Sequence, residues 1–269
     1  MIIENLYISP LEACNLNCRY CYTHKTKNVL SNQQILKFVS QFPNLKSIIF
    51  CGGEVFTLAD FPSLVNQLIN QNIFITIITN GTIDRLAEIK DPTNCQLLVS
   101  FDGPKEIHDY NRGSGNFDKS CNFVKHALDL NFPTEIFFLI TKDSYKFKDS
   151  FNLFDLPKTY LVDRLGSLSA TQTKNILKNY STYPNKNFGC FQLSLQSDGL
   201  VYGCCESAKS IGTISTPSKI LIKNFNQLLS PCLKCQHCSG CVDQSFFCGL
   251  TKNLCKNSCK EVVKLLNDH

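Results

Sequence analysis

The chain has 269 residues, 43% of them hydrophobic and 18% charged, which is enough to bury a substantial core and excludes general disorder. Its net charge of +5 is scattered, so the sequence gives only weak support to a nucleic-acid surface. The unusual feature is 16 cysteines against one methionine and no tryptophan.

The start, Met1-Ile2-Ile3-Glu4-Asn5, has no basic segment followed by a long apolar run, which argues against export. The longest apolar stretches, Ile73–Ile78 and Ile136–Ile140, fall far short of the ~20 residues of a membrane helix. The expectation is therefore a cytoplasmic protein without a membrane partner. Its thiols stay reduced and serve as ligands of zinc or iron–sulfur clusters rather than as disulfides.

Along the chain, apolar β-rich runs predict strands at Asn5–Ser9, Ser47–Cys51, Ile73–Thr79, Gln96–Phe101, Glu135–Thr141 and Tyr160–Leu165. Helical patterns lie between them. Ser31 and Gln34 form a capping box ahead of Ile35, Phe38, Val39 and Phe42. Asp60 caps a segment carrying Leu64, Val65, Leu68 and Ile69. Phe117, Cys121, Val124 and Leu128 recur at helical spacing on another. The alternation predicts an α/β fold, a partial (β/α)6 TIM-like barrel, with its chemistry at the carboxyl ends of the strands. The cysteines divide the chain further, since ten of them lie between Cys190 and Cys259. A core over residues 1–175 and a small cysteine-rich module over residues 185–269 are the expected domains, the second folding around metal.

Directly after the first strand comes Cys14-Asn15-Leu16-Asn17-Cys18-Arg19-Tyr20-Cys21, three thiols within one loop. A zinc site there would need His24 as its fourth ligand. A 4Fe–4S cluster held by three cysteines instead leaves one iron open to a ligand. The spacing C-x3-C-x2-C, with an aromatic before the last cysteine, resembles the radical S-adenosylmethionine (SAM) superfamily. Other motifs follow in that family's order: Cys51-Gly52-Gly53-Glu54 after the second strand, Thr79-Asn80-Gly81-Thr82 after the third, and Ser100-Phe101-Asp102-Gly103-Pro104 after the fourth. The resemblance implies that Cys14, Cys18 and Cys21 hold a SAM-cleaving 4Fe–4S cluster. It implies further that Gly52, Gly53, Glu54 and Ser100 bind SAM, with Tyr20 near the adenine. One-electron cleavage of the sulfonium would then give a 5′-deoxyadenosyl radical.

In the tail, Asp198-Gly199 signals a hairpin that would bring Cys190 and Cys204 together. Cys232, Cys235, Cys238 and Cys241 follow at two-residue separations, then Cys248, Cys255 and Cys259. This segment resembles the SPASM extension of peptide-modifying radical SAM enzymes, which implies one or two auxiliary 4Fe–4S clusters. By that analogy Cys190, Cys204 and Cys241 hold one cluster. Cys232, Cys235 and Cys238, with one of Cys248, Cys255 and Cys259, hold the other. The run is compressed relative to the family. The sulfatase-maturating members carry an aspartate after the cysteine that Cys204 matches, whereas here Cys205 and then Glu206 follow. Glu206 is the candidate base.

The reading that follows is a radical SAM enzyme that oxidatively modifies a peptide or protein side chain, charged by an external one-electron donor of the flavodoxin or ferredoxin type. The cluster loop begins near Cys14, so recognition of a leader peptide would fall to a separate chain. One alternative is a dehydrogenase of a small alcohol or sugar; another is a non-catalytic zinc-ribbon protein binding nucleic acid. Cys51, Cys95 and Cys121 read as core, and His126 as a surface histidine. Lys142 and Lys146 read as solvated, and His108, Asp109 and Arg112 as a polar loop over the barrel mouth.

Overall fold

The computed structural model describes residues 2–21, 23–162, 167–181, 192–203 and 210–234. Six parallel strands form the frame: β1 (Asn5–Ile8), β2 (Ser47–Phe50), β3 (Phe74–Thr79), β4 (Cys95–Phe101), β5 (Thr134–Ile140) and β6 (Lys158–Val162). Each predicted run coincides with a strand whose ends shift by a residue or two, except that residues 163–165 of the sixth run lie outside the described residues. Beyond them β7 (Leu193–Leu195) adds in parallel to the free side of β1, and β8 (Leu200–Tyr202) and β9 (Ser210–Thr213) continue antiparallel. The order is β6-β5-β4-β3-β2-β1-β7-β8-β9. Gly199 turns β7 into β8 at φ +79°, a conformation that glycine adopts without a steric penalty, as the Asp198-Gly199 signal implied.

Helices connect the strands. α1 (Asn32–Val39) begins at Ser31, whose hydroxyl accepts from Gln34 N–H while the Gln34 side chain accepts from Ser31 N–H. α2 (Phe61–Ile69) follows Asp60, but that side chain makes no capping bond; a proline in the first turn dispenses with one donor instead. α3 (Lys105–Arg112) occupies the segment expected to be a polar loop. α4 (Asn116–Asp129) buries Ser120, Phe123, Val124 and Ala127, so its inward ridge is rotated from the predicted stripe, and Leu128 faces out. α5 (Ala170–Asn179) repeats the capping box with Ser169 and Gln172, and α6 (Ser218–Lys234) follows β9. Among the described residues no helix is long and apolar enough to cross a membrane.

Alternation along each strand separates two faces. One set, including Leu6, Ile8, Ile48, Phe50, Ile75, Leu97, Val99 and Phe138, packs with the helices in the main core. The other set lines the inner face in levels. Tyr7, Ile49, Ile78, Leu98 and Phe137 form a second apolar cluster, with Leu161 against it. Two residues earlier on each strand the inner face is polar and bonded across strands. Ser47 donates to Asn5 at 2.6 Å, Gln96 to Glu135 at 2.8 Å, and Thr159 to Glu135 at 2.9 Å. Two residues later come Ser9, Cys51, Asn80 and Ser100, and the site is built on that level.

Candidate active site

The cysteine loop is fastened to the glycine motif by continuing the β1–β2 pairing past both strands. Cys51 N–H donates to Ile8 C=O at 3.1 Å, Gly53 N–H to Leu11 C=O at 3.0 Å, and Glu54 N–H to Ala13 C=O at 3.0 Å. The two chains run so close that a Cβ on Gly52 would stand 2.2 Å from the Leu11 oxygen, and one on Gly53 1.9 Å from the Ala13 oxygen. The space left by the missing Cβ atoms is thus filled by the cysteine loop itself. At its far end the loop is closed by Leu30 N–H on Pro10 C=O and by Thr26 Oγ1 on the Glu12 carboxylate at 2.7 Å.

Within this frame Cys14, Cys18 and Cys21 line one cavity, together with Tyr20, Cys51, Gly52, Gly53, Asn80, Ser100, Asp102 and Arg112. The apolar inner cluster supplies part of its wall through Tyr7, Ile78 and Phe137. Cys14 and Cys18 are half-buried and Cys21 is exposed. Burial raises the Cys14 thiol above its ordinary value, opposed by the Leu16 N–H directed at its sulfur; burial likewise raises Cys18, opposed by the Arg112 charge. Among the described residues no three His, Cys, Asp or Glu side chains stand close enough to share a single ion. A cubane takes one thiolate per iron, so three thiols spaced around a cavity suit it as a donor set. His24, the fourth ligand of the zinc alternative, is exposed and off the cavity wall.

Ser100 and the Gly52-Gly53 pair lie on the wall, as does Tyr20, whose hydroxyl donates to Asp143 at 3.3 Å. Glu54 stands behind the wall and is only 1% exposed. Its carboxylate accepts from Thr79 Oγ1 at 2.9 Å, Phe56 N–H at 3.2 Å and Asn80 N–H at 2.7 Å, tying the glycine motif to the end of β3. Burial pushes its acid upward and these hydrogen bonds oppose the rise. Cys95 is core and Cys121 is half-buried, while Cys51 reaches the cavity wall. His126 is on the surface and pairs with Asp84 at 2.6 Å.

The sequence placed Arg112 only in a polar loop over the barrel mouth and gave Asp102 and Asn80 no role. Arg112 ends α3 and reaches back to Asp102, just past β4, with Nε at 2.9 Å and Nη2 at 2.8 Å. The pair is buried, Asp102 being 1% and Arg112 11% exposed. Burial works against the Arg112 charge, but Asp102 and the neighbouring sulfurs of Cys18 and Cys14 outweigh it. α3 also grips the loop directly: Arg19 N–H donates to Asn111 C=O at 2.9 Å, and the Arg19 guanidinium lies 4.2 Å above the Tyr110 ring. An acidic residue directly after a strand was a signal for Asp102, though not for its partner. Cys190, Cys204, Glu206, Cys235, Cys238, Cys241, Cys248, Cys255 and Cys259 lie outside the described residues, as does the side chain of Cys232.

Fold and site together define an α/β protein of partial-barrel type with a thiol-lined cavity at the carboxyl ends of its strands. The chain belongs to the radical SAM superfamily, whose family model matches residues 8–152. It is 26% identical over 211 residues to a cysteine-type anaerobic sulfatase-maturating enzyme of Clostridium perfringens, covering 70% of this chain and 50% of that one. It is 25% identical over 287 residues to a GTP 3′,8-cyclase of Clostridium botulinum, covering 97% and 83%. The solved structure of anSMEcpe with bound AdoMet and the Cp18Cys peptide superposes with a TM-score of 0.69 at 21% identity, covering 98% of this chain and 99% of that one. The chain spans about a third to two fifths of the length of several other curated relatives, 32% and 41% in two cases. Membership in the superfamily sets aside the non-catalytic zinc reading.

Proposed function

We propose that this chain reductively cleaves SAM and uses the resulting radical to oxidise a peptide or protein side chain. The observation that carries the reading is the convergence of Cys14, Cys18, Cys21, the Gly52-Gly53 pair and Ser100 on one cavity. A 4Fe–4S cluster held by these thiols, with SAM bound beside it, would supply a 5′-deoxyadenosyl radical for hydrogen abstraction from the substrate. The chain's own contribution is positional. Its glycine motif fixes the cysteine loop, Ser100 and Tyr20 offer polar contacts to a bound nucleoside, and Arg112 places a held positive charge beside Cys18. The inner apolar cluster keeps water from the floor of the cavity.

The peptide class is supported by similarity to the sulfatase-maturating enzyme. The aspartate expected of that reaction is replaced by Cys205-Glu206, so the resemblance does not extend to that reaction, and Glu206 is the proposed proton acceptor. Cys190, Cys204 and Cys241, and Cys232, Cys235 and Cys238 with a later cysteine, are the proposed ligands of one or two auxiliary clusters that carry away the second electron. A flavodoxin- or ferredoxin-type donor supplies the first, and a separate chain recognises any leader peptide.

The test is anaerobic purification followed by reduction with dithionite in the presence of SAM. The expected protein is brown, holds about twelve irons if three clusters form, and releases 5′-deoxyadenosine. The triple Cys14/Cys18/Cys21→Ala variant loses about four irons and that product. Release of 5′-deoxyadenosine by the triple variant at the original rate refutes the assignment. Candidate peptides are assayed beside GTP and small alcohols; turnover of one of the latter alone refutes the peptide class.

A further inference from the structure

We propose that Asn80 is a positioning residue for the SAM-cleaving cluster, its amide donating an N–H to the Cys14 sulfur and thereby raising the potential at which that cluster is reduced. This rests on the reading that Cys14, Cys18 and Cys21 hold the cluster, and adds a residue to which that reading assigns no role.

Asn80 is fixed from every side. Its backbone N–H donates to the Glu54 carboxylate at 2.7 Å, and its C=O accepts from Ser120 Oγ at 2.8 Å. Its side-chain oxygen accepts from both Thr82 N–H at 2.9 Å and Thr82 Oγ1 at 2.6 Å. An amide turned the other way would set its NH2 against the Thr82 N–H, so Thr82 decides which end faces the loop. Nδ2 then gives one hydrogen to Asn15 Oδ1 at 2.9 Å and the other to Cys14 Sγ at 3.7 Å. Asn15 Nδ2 returns to Thr82 Oγ1 at 2.8 Å, closing a ring in which each of three side chains donates once and accepts once. Rings of this kind polarise their members cooperatively. Leu16 N–H points at the same sulfur from 3.4 Å.

The three sulfurs therefore meet different surroundings: two N–H donors at Cys14, the Arg112 charge at Cys18, and solvent at Cys21. Hydrogen bonds to cluster sulfurs stabilise the reduced state, which carries one more negative charge. Asn80 is only 7% exposed, so water does not screen its bond. As a cluster ligand Cys14 has no thiol proton to donate and acts only as an acceptor, which suits two converging donors.

The experiment is an anaerobic redox titration of the full-length protein, followed by electron paramagnetic resonance on the cluster whose signal changes when SAM is added. At the wild-type midpoint, Asn80→Ala should lower the reduced-to-oxidised ratio about tenfold, which is about 59 mV for a one-electron couple. Asn80→Asp, which puts acceptors where donors stood, should lower it at least as far. Thr82→Val, which opens the ring and removes one of the two donors on the amide oxygen while the backbone N–H still orients it, should shift it in the same direction by less, and Thr82→Ser should keep the wild-type value. Iron-replete Asn80 variants with an unshifted midpoint overturn the inference. If Asn80→Ala holds no iron the Thr82 pair decides, and equal midpoints for Val and Ser overturn it. If the wild type shows no cluster that the triple cysteine variant lacks, the underlying assignment fails instead.

Discussion

Replacing Gly53 with alanine tests whether the glycine motif serves the cysteine loop. A Cβ there would stand 1.9 Å from the Ala13 oxygen, 2.4 Å from its carbon and 2.6 Å from the Glu12 oxygen. All three are backbone atoms, so no side-chain rotation relieves the overlap. Separating them to ordinary contact moves the loop by about 1 Å or more. That displacement stretches Gly53 N–H to Leu11 C=O and Glu54 N–H to Ala13 C=O, both now 3.0 Å. Losing two such bonds costs about 2 kcal/mol, or roughly 4–8 °C in Tm for a chain of this size. The larger effect falls on chemistry, because a misplacement of about 1 Å can cost about 100-fold in rate. The assay is 5′-deoxyadenosine formation per bound iron, with Tm measured alongside. Gly115→Ala is the control: its φ of +78° imposes strain, but nothing lies within 4 Å of the new Cβ, so the rate should hold. A Gly53→Ala enzyme with wild-type rate and iron content would refute the reasoning.

Arg112→Met leaves Asp102 charged and buried, at a cost of about 3–5 kcal/mol; adding Asp102→Asn should recover most of it in denaturant unfolding, and simple additivity would refute the pairing. His108 is fully buried between Phe101 and Phe117, and neither ring nitrogen has a hydrogen-bond partner among the described residues. Burial, and then the Arg112 charge, holds its pKa down at about 3, against 6.5 ordinarily. The unfolded chain therefore binds the extra proton between those values, and stability falls as pH drops through that window, by up to about 1.4 kcal/mol per pH unit. His108→Phe should remove that acid slope without loss of stability at pH 8, and an unchanged slope would sink the assignment. Glu54→Gln puts an amide where three donors converge, so at least one buried N–H loses its acceptor; about 1–3 kcal/mol of stability should go, and an unaltered Tm would contradict the bracing role.

What could be read from sequence alone followed from apolar periodicity. The six parallel strands are apolar enough to announce themselves, and Ser31 with Gln34 marked α1. α3 escaped because the residues it buries are His108 and Asn111, polar side chains that leave no apolar rhythm. α5 was within reach, since Ser169 and Gln172 repeat the same capping box. The pairing of β7 with β1 was not, because Leu193 and Leu6 meet across most of the chain and no local signal names a distant partner. Of the site, the cysteines and glycines were visible as motifs. The Asp102–Arg112 pair and the ring around Asn80 were not, because both depend on distances between side chains on different elements.

The convergence itself has a simple origin in strand geometry. Inner-face positions recur every second residue, and β2, β3 and β4 spend them in the same sequence: a polar residue, an apolar one, then a site residue. β2 reads Ser47, Ile49, Cys51; β3 reads Thr76, Ile78, Asn80; β4 reads Gln96, Leu98, Ser100. The polar level is bonded across strands and closes the amino end, the apolar level seals the floor, and the third level faces the cavity. Parallel pairing keeps these levels adjacent, since Ile78 stands beside Leu98 and Thr79 beside Val99, just below Asn80 and Ser100. Motifs separated by twenty to thirty residues thus meet because each sits one step past the apolar level of its own strand. A one-residue slip of β3 would turn Asn80 into the helix-packed core and carry the Cys14 donor with it.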